Sequence, residues 1–304
     1  AATIEVLIDD ETEPEDLGRP GHVFPLKYME GGVLKRAGQT EASIDLCRIA
    51  SLKEAAVICE IMAEDGRMTR MEQLNNFAEV HNLRIVSVAD IIAYRRRNEK
   101  LINRVAEARV PTKFGEFSAI SYNSLVDSHE HVAMVKGVIE SDSVILVRVH
   151  SECLTGDVFG SERCDCGDQI PLALEAIGKE GVGVFLYMRQ EGRGIGIHNK
   201  LKAYALQDEG YDTVDANIAL GFLPDPRQYG VGAQILEDLG VKKMRLMTNN
   251  PTKRVGLESF GLEVVERISI GAPYKEENVA YMEAKRKRMG HIITDRKSED
   301  RPSS

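Results

Sequence analysis

The sequence predicts an α+β protein of two domains, and three observations lead there. Strand-like and helix-like segments interleave through the second half of the chain. A highly charged, helix-like stretch around residues 90–103 separates that half from a first block of different character. With 304 residues and 43% hydrophobic composition, the chain is long enough to bury two cores. A net charge of −9 excludes the usual nucleic-acid binder, while a locally basic pocket could still take a nucleotide. No apolar run reaches the length of a membrane span. Five cysteines, three of them clustered, suit a reducing compartment rather than a disulfide framework. The opening Ala1-Ala-Thr-Ile lacks methionine and any signal-like segment, so the chain is expected to be processed, truncated or excerpted.

Taken in order, the first block covers residues 1–104. It closes on Asp90-Ile-Ile-Ala-Tyr-Arg-Arg-Arg-Asn, where Asp90 is a plausible N-cap and apolar residues then recur at helical spacing through Asn103. The second block, 105–290, opens with Arg109-Val-Pro-Thr-Lys-Phe-Gly-Glu-Phe, a strand and turn pattern. Further strands are expected at Val144–Val149, Gly183–Tyr187 and Met244–Thr248. Helices are expected at Asp168–Glu180, Asn199–Glu209, Val231–Leu239 and Pro251–Phe260. Residues 291–304 form a polar tail, expected to be disordered.

The chemistry concentrates in the second block. Cys153 is followed after ten residues by Cys164-Asp-Cys166-Gly. Three thiolates on a short stretch are strong ligands for zinc and leave one tetrahedral position open, where a water can become nucleophilic near neutral pH. Spacing alone fits equally well a structural zinc closed by His150 or a distant histidine. Cys47 and Cys59 lie far upstream and read as buried structural residues. Directly before the first cysteine, Arg148-Val-His-Ser-Glu152 sets a cation, an imidazole, a hydroxyl and a carboxylate at a strand end. In Arg189-Gln-Glu-Gly-Arg-Gly-Ile-Gly196, Gly192, Gly194 and Gly196 permit close backbone approach, and Glu191 and Arg193 can reach a polar ligand; a tight surface turn would read the same way. In Gly221-Phe-Leu-Pro-Asp-Pro-Arg-Gln-Tyr229, two prolines hold Asp225 and Arg227 in a rigid loop. The fourth segment, Met244–Lys253, ends a strand at Thr248 and starts a helix at Pro251, offering free amides and Lys253 to a phosphate, or simply a capped helix.

Together the segments resemble GTP cyclohydrolase II from about Val105 to Gly290. The runs are Arg-Val-His-Ser-Glu-Cys-Leu-Thr-Gly-Asp (148–157), Arg-Cys-Asp-Cys-Gly (163–167), Arg-Gln-Glu-Gly-Arg-Gly-Ile-Gly (189–196), Tyr-Ala-Leu-Gln-Asp-Glu-Gly-Tyr-Asp-Thr-Val (204–214) and Thr-Asn-Asn-Pro (248–251). The resemblance implies the first step of riboflavin biosynthesis, hydrolysis of GTP with loss of C8 as formate and release of diphosphate. It implies one zinc on Cys153, Cys164 and Cys166 with water in the open position, and Mg²⁺ on the triphosphate. GTP contacts carried over by motif are Arg148, Val149, His150, Ser151, Glu152, Gln169, Glu191, Gly192, Arg193, Thr213, Thr248 and Lys253. Arg227 is implied as nucleophile at the α-phosphate, activated by Asp225, or as a charge stabiliser, since a guanidinium is a poor nucleophile. Tyr204 is a further candidate for proton transfer. A homodimer in the plastid stroma of a plant or the cytoplasm of a bacterium is likewise implied.

The first block resembles 3,4-dihydroxy-2-butanone 4-phosphate synthase in its C-terminal half. The residues are Leu-Gly-Arg-Pro-Gly-His-Val-Phe-Pro-Leu (17–26), Gly-Gly-Val-Leu-Lys-Arg-Ala-Gly (31–38) and Thr-Glu-Ala-Ser-Ile-Asp-Leu (40–46). Fusion of the two enzymes is a known bifunctional arrangement. His22, Arg36, Thr40 and Glu60 match catalytic or substrate positions of that family, whereas Gln39 stands where the family has a metal-ligating histidine. The expected domain is therefore a partial, degenerate α/β synthase domain whose activity is lost.

Overall fold

The computed structural model describes residues 2–63, 65–125, 129–140, 142–222, 230–258, 260–271 and 275–292. The chain divides into two units, Ala1–Glu99 and Lys100–Ser304.

Within the first unit lie α1 (Ala2–Ile8), α2 (Gln39–Ile49), α3 (Met71–Val80) and α4 (Val88–Asn98). Its small core joins Val33, Ala42 and Ile91, packed by Val88 and Ile92. Around it the turn before α2 is held by buried charge. Asp45 accepts the Val33 amide at 2.8 Å and Arg95 Nη1 at 2.9 Å, and Glu41 accepts the Met29 amide at 3.0 Å. Only glycine suits position 32, where φ is +61° and a Cβ would fall 2.2 Å from Asp45 Oδ1. The helix expected from Asp90 starts earlier. Ser87 is the cap: its Oγ accepts the Asp90 amide at 3.1 Å while the Asp90 carboxylate accepts the Ser87 amide at 3.2 Å. It stops at Asn98 rather than Asn103, because Ile102 already pairs with Ser124 in a strand. The expected α/β character of this block is not seen among the described residues, which show only an isolated bridge between Met62 and Met68. An extended stretch becomes a strand only where a neighbour takes its backbone groups, and 52–60 has no such ladder here. Cys59, expected to be buried, is exposed, and Cys47 is half-buried.

The second unit is built on one mixed sheet. Its strands are β1 (Ile102–Thr112), β2 (Gly115–Ser124), β3 (Glu130–Lys136), β4 (Val144–Ser151), β5 (Gly183–Met188), β6 (Lys243–Met247) and β7 (Glu263–Ile268). They run in the order β1-β2-β3-β5-β4-β6-β7. The first three and β5 pair antiparallel, whereas β5, β4, β6 and β7 are parallel. The helices are α5 (Leu154–Asp157), α6 (Cys166–Glu180), α7 (Glu191–Gly194), α8 (Gly196–Asp208), α9 (Thr213–Ala219), α10 (Gly230–Asp238), α11 (Pro251–Glu258) and α12 (Val279–Met289). Strand β4 reads Val-Ile-Leu-Val-Arg-Val-His, nearly all buried, as a central parallel strand covered on both faces must be. Helix α6 lays Ala173 and Ile177 on Leu146 and Phe185, and Phe117, Met247 and Ile270 complete that core.

The sheet topology fixes where a site can lie. From β4 the chain crosses to β5 on one side, and later returns to β6 on the other. In parallel sheets, ligands gather outside the strands' carboxyl ends where the order switches direction. Here that point is the end of β4, which carries Arg148 to Cys153.

Candidate active site

The three cysteines converge just past β4. Cys153 follows the strand, Cys164 sits in the turn after α5, and Cys166 opens α6. Their sulfurs lie within 4.8 Å of one another, and among the described residues no histidine or carboxylate joins them. Cys153 and Cys164 Sγ are 3.6 Å apart. Tetrahedral zinc with Zn–S near 2.3 Å separates sulfurs by about 3.8 Å, so the donor set and spacing fit zinc. Space is kept for it by glycine: a Cβ on Gly156 would lie 2.9 Å from Cys164 Sγ and 3.2 Å from Cys153 Sγ. Hydrogen bonds from Cys164 and Cys166, with the Lys200 ammonium beside them, hold Cys153 far below the ordinary thiol range. Cys164, bonded to that thiolate, is pushed up to about 11, and Cys166 rises for the same reason.

Two carboxylates lock the turn. Asp157 accepts the Cys153 amide at 2.9 Å, the Tyr187 hydroxyl at 2.9 Å and His150 Nε2 at 3.1 Å. Burial lowers the His150 pKa, so this contact is a hydrogen bond from a neutral ring rather than an ion pair. The ring stacks on Phe185 and Tyr187 and is committed to Asp157, away from the cysteines. Glu191 takes the Leu154 amide on Oε2 at 2.6 Å, and Lys200 Nζ on Oε1 at 2.7 Å. Lys200 also donates to Cys153 Sγ at 3.1 Å. Burial pulls its pKa down, but the Cys153 thiolate and Glu191 outweigh that and it stays charged.

A second layer lies under Cys164 and Cys166. Asp165, between them, accepts Lys285 Nζ from α12 at 2.5 Å and Gln169 Nε2 at 2.6 Å. Burial would raise this carboxyl, but Lys285 holds it below its usual value. Gln169 in turn accepts from Arg148, whose Nη1 also donates to the Met247 carbonyl at 2.8 Å. On the far side, the turn after β6 is stitched to β7. Asn249 bonds the Ile270 amide at 3.1 Å and carbonyl at 2.6 Å, and Lys253 Nζ donates to the Val149 carbonyl at 2.9 Å. Pro251 opens α11 there, as its sequence position suggested.

One pocket brings these parts together. Arg148, His150, Ser151, Glu152, the three cysteines, Gln169, Glu191, Gly192, Tyr204, Thr213, Thr248 and Lys253 all line it. Val149 is buried and is not among the lining residues; its carbonyl accepts Lys253 Nζ. Glycines 192, 194 and 196 all adopt positive φ, of +59°, +97° and +79°. Tyr204 Oη is 3.2 Å from Thr155 Oγ1, and burial raises its pKa. Arg193 lies in α7, but its side chain falls outside the described residues, as do Asp225 and Arg227 altogether. In the first unit Gln39 and Thr40 open α2, Arg36 pairs with Glu41 at 3.5 Å, and His22 and Glu60 are exposed.

Sequence reasoning missed Asp157, Asp165, Lys200, Asn249 and Lys285. A signal existed for Lys200, four residues before Tyr204 and so on the same face of α8. Asp157 closes the 148–157 run, but nothing in that run singles it out. Nothing near Lys285 marked it, since only the tertiary fold carries α12 back to the cysteines.

Residues 103–269 match the family model of GTP cyclohydrolase II. The chain belongs to the GTP cyclohydrolase II family. Residues 1–94 match that of 3,4-dihydroxy-2-butanone 4-phosphate synthase. A riboflavin biosynthesis protein RibBA from Mycobacteroides abscessus is 55% identical over 302 residues, covering 97% of this chain and 72% of that protein. A bifunctional riboflavin biosynthesis protein RIBA 1, chloroplastic, from Arabidopsis thaliana is 55% identical over 293 residues, covering 96% of this chain and 54% of its own length. The chain thus spans about half the length of its plant relatives. Among solved structures, RibBX, a two-domain 3,4-dihydroxy-2-butanone 4-phosphate synthase from A. baumannii, superposes with a TM-score of 0.58 at 36% identity, over 88% of this chain and 69% of that one.

These matches bear out the cyclohydrolase II reading. They also correct the expectation for the first block. The expectation of a degenerate, inactive block rests on Gln39 in place of the histidine and on resemblance to the C-terminal half alone. Its match to the synthase family over 1–94, in a chain whose relatives include proteins named bifunctional, overturns the loss of activity and gives no support to degeneracy. Among the described residues, no helix is long and apolar enough to cross a membrane.

Proposed function

We propose that the second unit hydrolyses GTP to 2,5-diamino-6-hydroxy-4-(5-phosphoribosylamino)pyrimidine, formate and diphosphate. The observation that carries this reading is the three-cysteine cluster opening into a pocket at the carboxyl ends of β4, β5 and β6, walled by cations. Cys153, Cys164 and Cys166 would hold the zinc, which when bound supplies Lewis acidity for hydrolysis at C8 of the guanine ring. Lys253 and the amides opening α11 face the phosphate end of the site, where Mg²⁺ would share the charge. Arg148 is tied to Gln169 and Met247, so it props the floor and contributes positive potential. Tyr204, with its raised pKa, keeps its proton at neutral pH and can give it up only to a group developing charge beside it. Glu152, Ser151, Gly192, Arg193 and Thr213 are assigned to GTP contacts, with Asp225 and Arg227 at the α-phosphate. The catalytic unit is taken as 105–290, within a homodimer.

The test is incubation of the purified chain with GTP, zinc and Mg²⁺, following formate and the diaminopyrimidine. Cys164→Ser should abolish formate release and lose zinc, while Cys47→Ser and Cys59→Ser should do neither. A folded, zinc-replete protein that left GTP intact would overturn the reading. For the first unit, the family match over 1–94 supports a place in a synthase module. Formation of dihydroxybutanone phosphate from ribulose 5-phosphate, assayed in the full chain with Mg²⁺, tests that.

A further inference from the structure

Lys200 is buried, 8% exposed, and forms part of a closed circuit. Its ammonium lies 3.1 Å from Cys153 Sγ and 2.7 Å from Glu191 Oε1. Glu191 reaches back with Oε2 to the Leu154 amide at 2.6 Å, the residue after Cys153, and with Oε1 to its own Gly192 amide at 2.9 Å. The path therefore runs from a cysteine sulfur through an ammonium and a carboxylate to the backbone beside that same cysteine. Both carboxylate oxygens of Glu191 are occupied by the protein. Its carboxylate thus belongs to the support of the cysteine turn.

Burying a lysine is costly unless its charge is answered. The charge that answers it here exceeds what Glu191 supplies. Three thiolates around a divalent ion leave a net charge of about −1, which makes the metal electron-rich and a weak Lewis acid. An ammonium against one sulfur withdraws electron density from that sulfur and offsets the excess charge. We propose that Lys200 is the outer-sphere cation of the cysteine metal site, a positioning residue that tunes the metal through Cys153 and ties it to the Gln190–Gly196 loop through Glu191. The proposal rests on the reading that the three cysteines hold a metal.

Cobalt reports on it directly. In the full chain loaded with Co²⁺, the sulfur-to-cobalt charge-transfer band in the near ultraviolet reads the energy of the thiolate donor orbitals. Removing the cation raises those orbitals, so Lys200→Met should move the band to lower energy, and Lys200→Arg, which keeps the charge, should return it toward the wild-type position. Zinc affinity by chelator competition should fall roughly 10- to 100-fold in Lys200→Met. Should methionine prevent folding, Lys200→Gln, neutral and of similar reach, carries the same measurement. A wild-type protein without a charge-transfer band would overturn the metal reading itself. A normal wild-type band that Lys200→Met leaves unmoved, with unchanged zinc affinity, would overturn the role of Lys200 alone.

Discussion

Replacing Lys285 by methionine isolates the buried pair beneath the cysteine turn. Methionine keeps most of the buried stem, so little apolar packing is lost. What disappears is the ammonium 2.5 Å from Asp165 Oδ1, where Lys285 and Asp165 side chains are only 10% and 2% exposed. Asp165 is then left with Gln169 Nε2 at 2.6 Å as its side-chain donor. Removing one partner of a buried ion pair costs about 3–5 kcal/mol, because the other charge stays buried and unanswered. There is an upper bound: the carboxyl can instead take up a proton. At pH 7 that lies about 3 units above an ordinary aspartate, at 1.36 kcal/mol each, or roughly 4 kcal/mol. The expected loss is therefore about 3–4 kcal/mol at pH 7, or about 6–16 °C in the melting of a unit of this size. Denaturant unfolding monitored on the second unit, with zinc held constant, measures it. Lys285→Met combined with Asp165→Asn should recover most of the loss, since the orphaned charge is gone. A single-variant loss below about 1 kcal/mol, or a double variant no better than the single, would refute the reasoning.

Three further outcomes are expected. Burial alone would raise the Asp238 carboxyl, but Lys100 and the Tyr122 hydroxyl outweigh it and hold it below its ordinary value. A depressed carboxyl stabilises above its unfolded pKa and loses that contribution as pH falls through the folded one. Asp238→Asn should therefore cost about 1 kcal/mol at neutral pH and flatten the decline of stability below about pH 4, seen in urea midpoints against pH. Gly156→Ala places a methyl 2.9 Å from Cys164 Sγ and should strip most of the bound zinc, measured as metal per folded chain. Arg227→Ala should slow diphosphate release by at least about a hundredfold, whether the residue acts as nucleophile or as charge stabiliser, and normal turnover would remove it from the mechanism.

Much of the site was legible because its chemistry is local in sequence. Cys164-Asp-Cys166 is a single turn at a helix start and the run from Arg148 to Cys153 is the end of β4 and the turn after it, so neighbours in sequence are neighbours in space. The strands around Val144 and Gly183 were legible for a similar reason, since largely buried parallel strands are near-continuous apolar runs. The α4 boundaries were not, because the Ser87–Asp90 exchange and the claim of β1 on Ile102 are decided by bonds that composition does not display.

By itself, then, the sequence determined the family, the cluster of three thiols and the segments that wall the pocket. Only the tertiary structure decided how charge is distributed among them. Arg148 donates to Gln169 beneath the pocket; Glu191 serves Lys200 and the Leu154 amide; Lys285 reaches Asp165 across 120 residues of chain. The physical reason is that a metal ligand needs the right atom at the right spacing, which a motif can encode. The compensation of a buried charge depends on whichever side chain the fold brings within about 3 Å, and sequence separation says nothing about that distance.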